Sequence, residues 1–246
     1  MLKLLSFDID DTIAESKQPL TNKMAKLLAR LSHNYYLHFV TGGALKLIIK
    51  NTINPITKYG PKLNNIVVSA NVWALLVHFQ NNNSYKVIYE KPIPKKDFIK
   101  IKAIFEKALQ KVGHDPQQVY GKLIEYRTYS ITFSAYGQNA PLEVKSKYDP
   151  TRERRKQIVK YLTGIEGKYQ IAIAGKSSID ITIKGINKGV ALKQVQKYLN
   201  LAKAEILLFG DSLMPGGNDY SVMQVGFNVV NVTCWQDTYN YLKSNV

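Results

Sequence analysis

The stretch Leu2-Lys3-Leu4-Leu5-Ser6-Phe7-Asp8-Ile9-Asp10-Asp11-Thr12 is the most informative part of this chain. Its apolar half predicts a short buried strand over residues 2–9, and an acidic turn ends that strand. Alternate side chains of an extended Asp-x-Asp segment point to the same side, so Asp8 and Asp10 can address one bound group. In α/β sheets, ligands lie beyond the carboxyl ends of the strands, which is where this acidic turn is expected.

Strands and helices alternate through residues 1–88. Thr21 is a helix cap followed by apolar residues at helical spacing, and residues 36–40 and 66–69 have the pattern of strands. This alternation predicts parallel strands joined by crossover helices, and therefore an α/β sheet. The same rhythm resumes over residues 186–246.

Residues 89–185 follow a different pattern. One long amphipathic helix is predicted over 98–112, a strand over 125–133 and a helix that Asp149-Pro150 opens. With strands at 169–174 and 179–183, two helices and about four strands predict an α+β domain inserted into the α/β core. The basic cluster 152–156 is expected on the solvated face of its helix.

Size and composition exclude several classes of protein. The 246 residues are 45% hydrophobic, with 15 Gly and 9 Pro, which excludes a disordered or fibrous chain. The single cysteine, Cys234, excludes a disulfide framework, and the four histidines lack metal-ligand spacing. The first apolar run is too short for a signal peptide, and no segment is long enough to span a membrane. We therefore expect a cytoplasmic protein without a membrane partner.

The chain is strongly basic, with 34 Lys and Arg against 18 Asp and Glu and a formal charge of +16. Of the basic residues 29 are lysine and are spread over the whole chain, whereas base reading favours arginine. A solvated lysine-rich surface is thus favoured over a dedicated nucleic-acid face, and no nucleic-acid partner is expected. A non-catalytic nucleic-acid-binding protein is the competing hypothesis from another class. The charge favours anionic ligands in either case.

Aspartates concentrate at two predicted strand ends. Five of the ten in the chain are Asp8, Asp10, Asp11, Asp211 and Asp219. Crowded carboxylates repel each other unless a cation lies between them, and Mg²⁺ prefers oxygen ligands. Each cluster by itself could simply cap a turn or end a strand. Their joint occurrence favours a metal site.

Four motifs then resemble those of the haloacid dehalogenase superfamily of phosphotransferases. Phe7-Asp8-Ile9-Asp10-Asp11-Thr12 is similar to its first motif, and Thr41 to its second. Lys188 matches the third, and the segment from Gly210-Asp211 to Asn218-Asp219 matches the fourth. The insert is similar to the cap of the Cof-like (IIB) group, and Gly216-Gly217-Asn218-Asp219-Tyr220 resembles the eukaryotic-type phosphomannomutases. The resemblance implies a Rossmann-like parallel-sheet core, residues 1–88 and 186–246, around an α+β cap, residues 89–185.

The resemblance also implies roles for individual residues. Asp8 would form an aspartyl-phosphate, Asp10 would be the acid/base, and Thr41 and Lys188 would hold the phosphoryl oxygens. Mg²⁺ would lie on Asp8, the Asp10 backbone carbonyl and Asp211, with Asp219 in the same metal site. The implied substrate contacts are Gly42, Arg127, Gln138, Lys145, Ser178, Asp180 and Asn218. The structural alternatives are an ordinary surface lysine at 188 and a solvent-facing strand residue at Arg127.

Two positions depart from the phosphomannomutase pattern. Gln138 and Lys145 stand where that family has arginines. A mutase must grip a sugar bisphosphate by either phosphate in turn, and losing a guanidinium weakens the distal grip. This favours a Mg²⁺-dependent hexose-phosphate phosphatase. The alternative is a mutase that interconverts hexose 1- and 6-phosphates, and a homodimer is compatible with either.

Overall fold

The computed structural model describes residues 1–246, which form two compact units. Residues 1–90 and 186–246 make one unit, the core unit, and residues 91–185 make the other, the cap unit. The chain leaves the core unit after Glu90 and returns to it at Ile186. None of the helices is both long enough and apolar enough to cross a membrane.

Eleven strands and nine α-helices make up the two units. The strands are β1 (Leu4–Phe7), β2 (Tyr36–Val40), β3 (Ile66–Ala70), β4 (Leu75–Phe79), β5 (Tyr85–Glu90), β6 (Ile124–Tyr126), β7 (Ser130–Ser134), β8 (Tyr169–Ala174), β9 (Ser178–Ile183), β10 (Ile206–Gly210) and β11 (Asn228–Asn231). The helices are α1 (Asn22–Leu31), α2 (Leu45–Ile48), α3 (Asn54–Thr57), α4 (Lys95–Lys111), α5 (Leu142–Tyr148), α6 (Glu153–Lys160), α7 (Lys188–Tyr198), α8 (Tyr220–Gln224) and α9 (Trp235–Asn245). A π-helix over Ile49–Ile53 joins α2 to α3, and short 3₁₀ turns cover Leu63–Asn65 and Lys203–Glu205.

The core unit is built on a seven-stranded sheet in the order β11-β10-β1-β2-β3-β4-β5. The strands from β11 to β3 are parallel, which confirms the predicted α/β class, while β4 and β5 add an antiparallel edge. Phe7 on the central strand stands beside Phe39 and Phe209, with ring centroids 6.0 and 5.2 Å away. These fully buried rings fix the register of β1, β2 and β10 relative to one another.

The cap unit is a four-stranded antiparallel sheet, β6-β7-β9-β8, with three helices. Ile131, Phe133, Ile179 and Ile181 alternate along β7 and β9 and are fully buried. The intervening side chains give the sheet a polar second face. The single strand predicted over 125–133 is wrong: it is the β6–β7 hairpin, because Thr128 takes a left-handed conformation (φ 64°) and turns the chain.

Two further predictions for the cap unit need correction. The helix expected from Asp149-Pro150 begins only at Glu153, because Arg152 is left-handed (φ 66°). Arg155, expected in a solvated basic face, is only 2% exposed. Its guanidinium donates to the Asp149 carboxylate at 3.0 Å and to the carbonyls of Ala174 and Gly175 in the β8–β9 turn. Arg155 therefore ties the start of α6 to the hairpin that carries Ser178.

Gly189 provides a test of how α7 is held. A methyl group on its Cα would lie 2.3 Å from the backbone oxygen of Ser221, in the first turn of α8. We expect Gly189→Ala to lower the free energy of unfolding by about 1–3 kcal/mol, because backbone cannot yield as a side chain can. Urea unfolding measures this loss. Gly167→Ala is the matched control, since its Cβ would meet nothing within 4 Å; equal losses in both variants would contradict this account.

Candidate active site

The predicted catalytic residues of the core unit meet at one edge of its sheet. Asp8 follows β1, Thr41 follows β2 and Asp211 follows β10, three neighbouring parallel strands whose carboxyl ends share that edge. Lys188 reaches them as the first residue of α7, where the Asn187 side chain accepts a hydrogen bond from the Val190 N–H and caps the helix.

The Lys188 ammonium is the centre of this arrangement. It is fully buried and donates to Asp8 Oδ1 at 2.8 Å and to Asp219 Oδ1 at 2.5 Å. Asn218 Oδ1 lies 3.3 Å from the same nitrogen. Lys188 is thus no surface lysine, and two buried carboxylates share its charge.

Burial changes the protonation of these acids. It raises the pKa of Asp8 to about 6 although the Lys188 ammonium opposes the change, and the charge of Asp219 raises the pKa further. Partial burial likewise raises the pKa of Asp211, with a smaller contribution from the neighbouring Asp219 charge. One ammonium therefore does not fully compensate the negative charge that the fold collects here.

Gly210 makes room for Asp219. A Cβ at position 210 would lie 2.6 Å from the Asp219 carboxylate, so no other residue fits without displacing that acid. The second oxygen of Asp219 accepts a hydrogen bond from the Ser212 N–H at 3.1 Å. The chain between β10 and α8 thereby folds back and turns Asp219 toward Lys188.

Three carboxylates could hold a metal ion. One oxygen from each of Asp8, Asp211 and Asp219 lies within 4.8 Å of the others. The Asp10 carboxylate is outside this group; its Oδ1 accepts the Lys17 N–H at 2.5 Å. Asp11 is exposed, adopts a left-handed backbone (φ 58°) and accepts the Ser16 N–H.

A cavity of about 360 Å³ opens beside this cluster. Thr41 is 8% exposed at its wall, and its Oγ1 accepts the Gly43 N–H at 3.0 Å. The residues named in the sequence analysis that line the cavity are Asp8, Asp10, Asp11, Thr41, Gly42, Asp211 and Asn218, while Lys188 and Asp219 are buried. The structure therefore brings together every core-unit residue that the sequence singled out.

Sequence reasoning gave no role to three residues that line this cavity, Gly43, Trp73 and Ser212. Trp73 closes a turn in which Asn71, Val72 and Trp73 all take positive φ angles of 53–63°. Hydrogen bonds from Asn71 N and Val72 N to the carbonyls of Gly43 and Gly42 hold this turn. A left-handed β-branched residue gives no local sequence signal, because only the surrounding structure imposes that conformation.

Three predicted substrate residues of the cap unit cluster around Glu125. The Arg127 guanidinium pairs with the Glu125 carboxylate, and the Gln138 amide, oriented as a donor, lies 2.8 and 3.1 Å from its two oxygens. Lys145 donates to the Gln138 carbonyl at 2.8 Å. Arg127 is exposed, as the structural alternative held, but a carboxylate that sequence reasoning did not single out neutralises its charge.

Ser178 and Asp180 lie on β9, away from that cluster in sequence. Asp180 accepts a hydrogen bond from Thr132 at 2.6 Å, and the hydroxyls of Ser178 and Ser134 are 3.4 Å apart. Glu125, Thr132 and Asp180 are register partners across β6, β7 and β9. They therefore form one row on the polar face of the cap sheet.

A buried hydrogen-bond chain crosses β1, β2 and β3 beneath the core site. His38 Nδ1 lies 2.9 Å from the Ser6 hydroxyl, and Nε2 lies 2.9 Å from the Ser69 hydroxyl. All three residues are at most 1% exposed, and the Ser69 carbonyl accepts the Thr41 N–H. Burial and the nearby Lys188 charge lower the pKa of His38 to about 3, so the ring is neutral at physiological pH.

Replacing Lys188 tests the charge balance. We expect Lys188→Met to lower the free energy of unfolding by about 3 kcal/mol at pH 7.5 without divalent metal, because it leaves two buried carboxylates unpaired. Urea unfolding gives the value. Lys3→Met, which breaks the exposed 2.7 Å pair with Glu205, should cost less than about 1 kcal/mol. If Lys188→Met lowers the free energy of unfolding no more than Lys3→Met does, the buried carboxylates do not depend on the Lys188 charge, and this account is wrong.

His38 predicts a pH dependence of stability. Its pKa is about 3 in the folded chain against 6.5 ordinarily, so between these values the unfolded state binds more protons. The contribution of His38 to stability is complete above pH 6.5 and declines as the pH falls, at most about tenfold in the folding constant per pH unit. Chemical denaturation from pH 8 to 5 measures this slope, which should flatten in His38→Gln. An unchanged slope in the variant would assign the acid sensitivity to other groups.

Sequence comparison is consistent with this geometry. A family model described as haloacid dehalogenase-like hydrolase matches residues 5–229. The phosphomannomutase of Encephalitozoon cuniculi (strain GB-M1) is 29% identical over 227 residues, covering 88% of this chain and 82% of that protein. The phosphomannomutase of Saccharomyces cerevisiae is 25% identical over 225 residues, which cover 89% of this chain and 84% of that protein.

Solved structures share the fold. The N-terminally truncated, IMP-bound IMP-nucleotidase of Plasmodium falciparum has a TM-score of 0.69 at 21% identity. The match covers 99% of this chain and 68% of the nucleotidase chain. A haloacid dehalogenase-like hydrolase from Bacteroides thetaiotaomicron has a TM-score of 0.67 at 9% identity, with 99% of each chain covered. Together with the family match, these likenesses confirm the fold and the resemblance predicted from the motifs. The chain belongs to the haloacid dehalogenase-like hydrolases, as a Cof-like member that resembles phosphomannomutase, and it is an enzyme.

Proposed function

We propose that this enzyme is a Mg²⁺-dependent phosphatase of sugar phosphates that works through a phosphate ester on Asp8. One observation carries the proposal: the buried Asp8 carboxylate contacts Lys188 and lies within 4.8 Å of two other carboxylates at the end of the central strand. A carboxylate placed in this way can attack phosphorus next to groups that neutralise the phosphoryl charge.

The donor set fits Mg²⁺. Asp8, Asp211 and Asp219 offer carboxylate oxygens, the ligands that hard divalent cations prefer. The family resemblance adds the Asp10 backbone carbonyl as a further oxygen donor. The negative charge that Lys188 leaves uncompensated also calls for a cation. When bound, Mg²⁺ would neutralise charge on the phosphoryl oxygens and favour the ionised form of Asp8.

The reaction then follows from the positions of the side chains. An oxygen of Asp8 attacks phosphorus, and the bond from phosphorus to the sugar oxygen breaks. Asp10 donates its proton to that leaving oxygen and later takes one from the attacking water, which releases phosphate and restores Asp8. The Lys17 N–H occupies only one Asp10 oxygen, so the other remains for this transfer. Thr41 and Lys188 hold the oxygens on which charge accumulates.

The Glu125 cluster supports the phosphatase over the mutase. A mutase needs a strong cationic grip on a second phosphate, but here the Arg127 charge is shared with Glu125, and Gln138 occupies the place of a second guanidinium. Lys145 is the one cation of this cluster without a carboxylate partner, and its ammonium donates to the Gln138 backbone carbonyl. Ser178 and Asp180 would accept sugar hydroxyls.

The mutase is the second candidate, because the similar curated proteins of Encephalitozoon cuniculi and Saccharomyces cerevisiae are phosphomannomutases. In that case the same ester on Asp8 would be delivered back to the other hydroxyl of the sugar. The sugar itself, the cytoplasmic location and a homodimer stay predictions from the sequence.

Replacing the nucleophile tests the chemistry. With mannose 1-phosphate and Mg²⁺, we expect free phosphate from the wild-type enzyme and at least about a thousandfold less from Asp8→Asn, because an amide cannot form the ester. Asp115→Asn, an exposed aspartate of the cap unit, is the matched control and should retain full activity. Undiminished turnover by Asp8→Asn would refute the assignment.

The same assay separates the two candidates. Adding hexose 1,6-bisphosphate should leave phosphate release as the main reaction. Mannose 6-phosphate that forms only with the bisphosphate would instead identify a mutase and overturn the phosphatase proposal.

A further inference from the structure

A basic groove lies on the core unit, lined by residues that have no part in the site described above. Its volume is about 590 Å³, and α1, α9 and the loop at Tyr59 form its walls. The basic side chains that line it are Lys23, Lys26, Arg30, His33 and Lys243. No acidic residue lines it.

The cations of α1 form a regular row. Lys23, Lys26 and Arg30 recur every three or four residues, so they lie along one face, while Met24, Leu28 and Leu31 of the same helix are buried. The row spans roughly 10 Å at the rise of a helix, or one cation about every 5 Å. Lys243 adds a cation from α9.

The cations of the groove have no acidic neighbour in its lining. Lys23, Lys26, Arg30 and Lys243 form no ion pair, as is true of most lysines of this chain, but here the four line one cavity without a carboxylate. Asp97 lines one cavity of the cap unit, and Glu106 and Glu125 line another. The groove therefore concentrates positive charge that the protein itself does not neutralise.

Aromatic side chains complete the groove. The Lys23 ammonium lies 4.5 Å from the ring centre of Trp235 and 5.2 Å from that of Tyr239, which orients the first cation of the row. Tyr59 is 38% exposed and lines the groove. His33 is hydrogen-bonded to the Gly60 carbonyl at 3.0 Å, so the end of α1 holds the loop that carries Tyr59.

We propose that this groove binds a single strand of nucleic acid, with the α1 row and Lys243 on successive phosphates and Tyr59 stacked on a base. A straight row of separate cations matches a linear polyanion better than a compact anion, which needs charges converging on one point. Cations in a groove combined with an accessible aromatic ring are the features that bind single strands without sequence preference. Nothing in this proposal uses the catalytic cavity.

Fluorescence anisotropy with a labelled 12-nucleotide single-stranded RNA of mixed sequence tests the proposal. With about four phosphate contacts, the logarithm of the binding constant should fall with the logarithm of salt concentration with a slope near −3, at about 0.7 per phosphate. The double variant Lys26→Glu, Arg30→Glu should weaken binding at least about tenfold and reduce the slope by about 1.4 or more.

A matched control separates the groove from net charge. Lys193→Glu, Lys197→Glu makes the same change of charge at the same i, i+4 spacing on α7, where both lysines are exposed. Its RNA affinity should remain within about twofold of the wild type. Equal weakening in both double variants would overturn the proposal in favour of non-specific attraction.

Further measurements address stacking and the kind of ligand. Tyr59→Ser should weaken binding at least about fivefold without changing the salt slope, because stacking releases no counterions. Duplex RNA that binds as tightly as the strand, or anionic vesicles that bind while RNA does not, would refute the proposal. Thermal unfolding verifies that each variant is folded, and Lys243→Glu on α9 is an independent second lesion that should also weaken RNA binding.

Discussion

The active centre depends on a single ammonium group held between carboxylates that come from distant parts of the chain. Lys188 donates to Asp8, 180 positions earlier, and to Asp219, 31 positions later, and all three side chains are buried. Such a group is costly to bury without partners, and each carboxylate is costly to bury without Lys188. The β1 strand end, the capped start of α7 and the turn after β10 are thereby fixed relative to one another.

The surroundings of this ion cluster follow from the same constraint. Gly210 leaves space for the Asp219 carboxylate, and the neutral His38 links three strands without adding charge under the site. Asp211 lies at the exposed end of the cluster and lines the cavity. One side of the cluster is therefore closed and buried, and the other side faces the cavity.

The cap unit and the basic groove show how the few acidic residues shape the surface. Glu125 pairs with the Arg127 guanidinium and accepts from the Gln138 amide, so one carboxylate serves both groups. Asp149 accepts from the buried Arg155 guanidinium, which also donates to the Ala174 carbonyl at the end of β8. Along the α1–α9 groove there is no such carboxylate, and the positive charge is left available to a partner.

Most of the core unit was predictable from local pattern. Parallel strands that end in Asp8, Thr41 and Asp211 must bring those residues to one edge, and the motif similarity added Lys188 and Asp219. The predicted strand failed at Thr128 and the predicted helix start failed at Arg152, because two left-handed residues redirect the chain where the sequence pattern is continuous. The lysine count indicated a diffuse basic surface, because the sequence does not show which lysines have acidic neighbours.

The sequence by itself determined the α/β class of the core, the parallel pairing of its central strands and the identity of the acids, since periodicity and motif spacing are local properties. Only the tertiary structure decided which charges meet. It placed Lys188 between two carboxylates, paired Arg127 with Glu125, buried Arg155 and left the α1 row unpaired. Electrostatic partnership depends on distances of a few ångströms between residues that are far apart in sequence, and those distances exist only once the chain is folded.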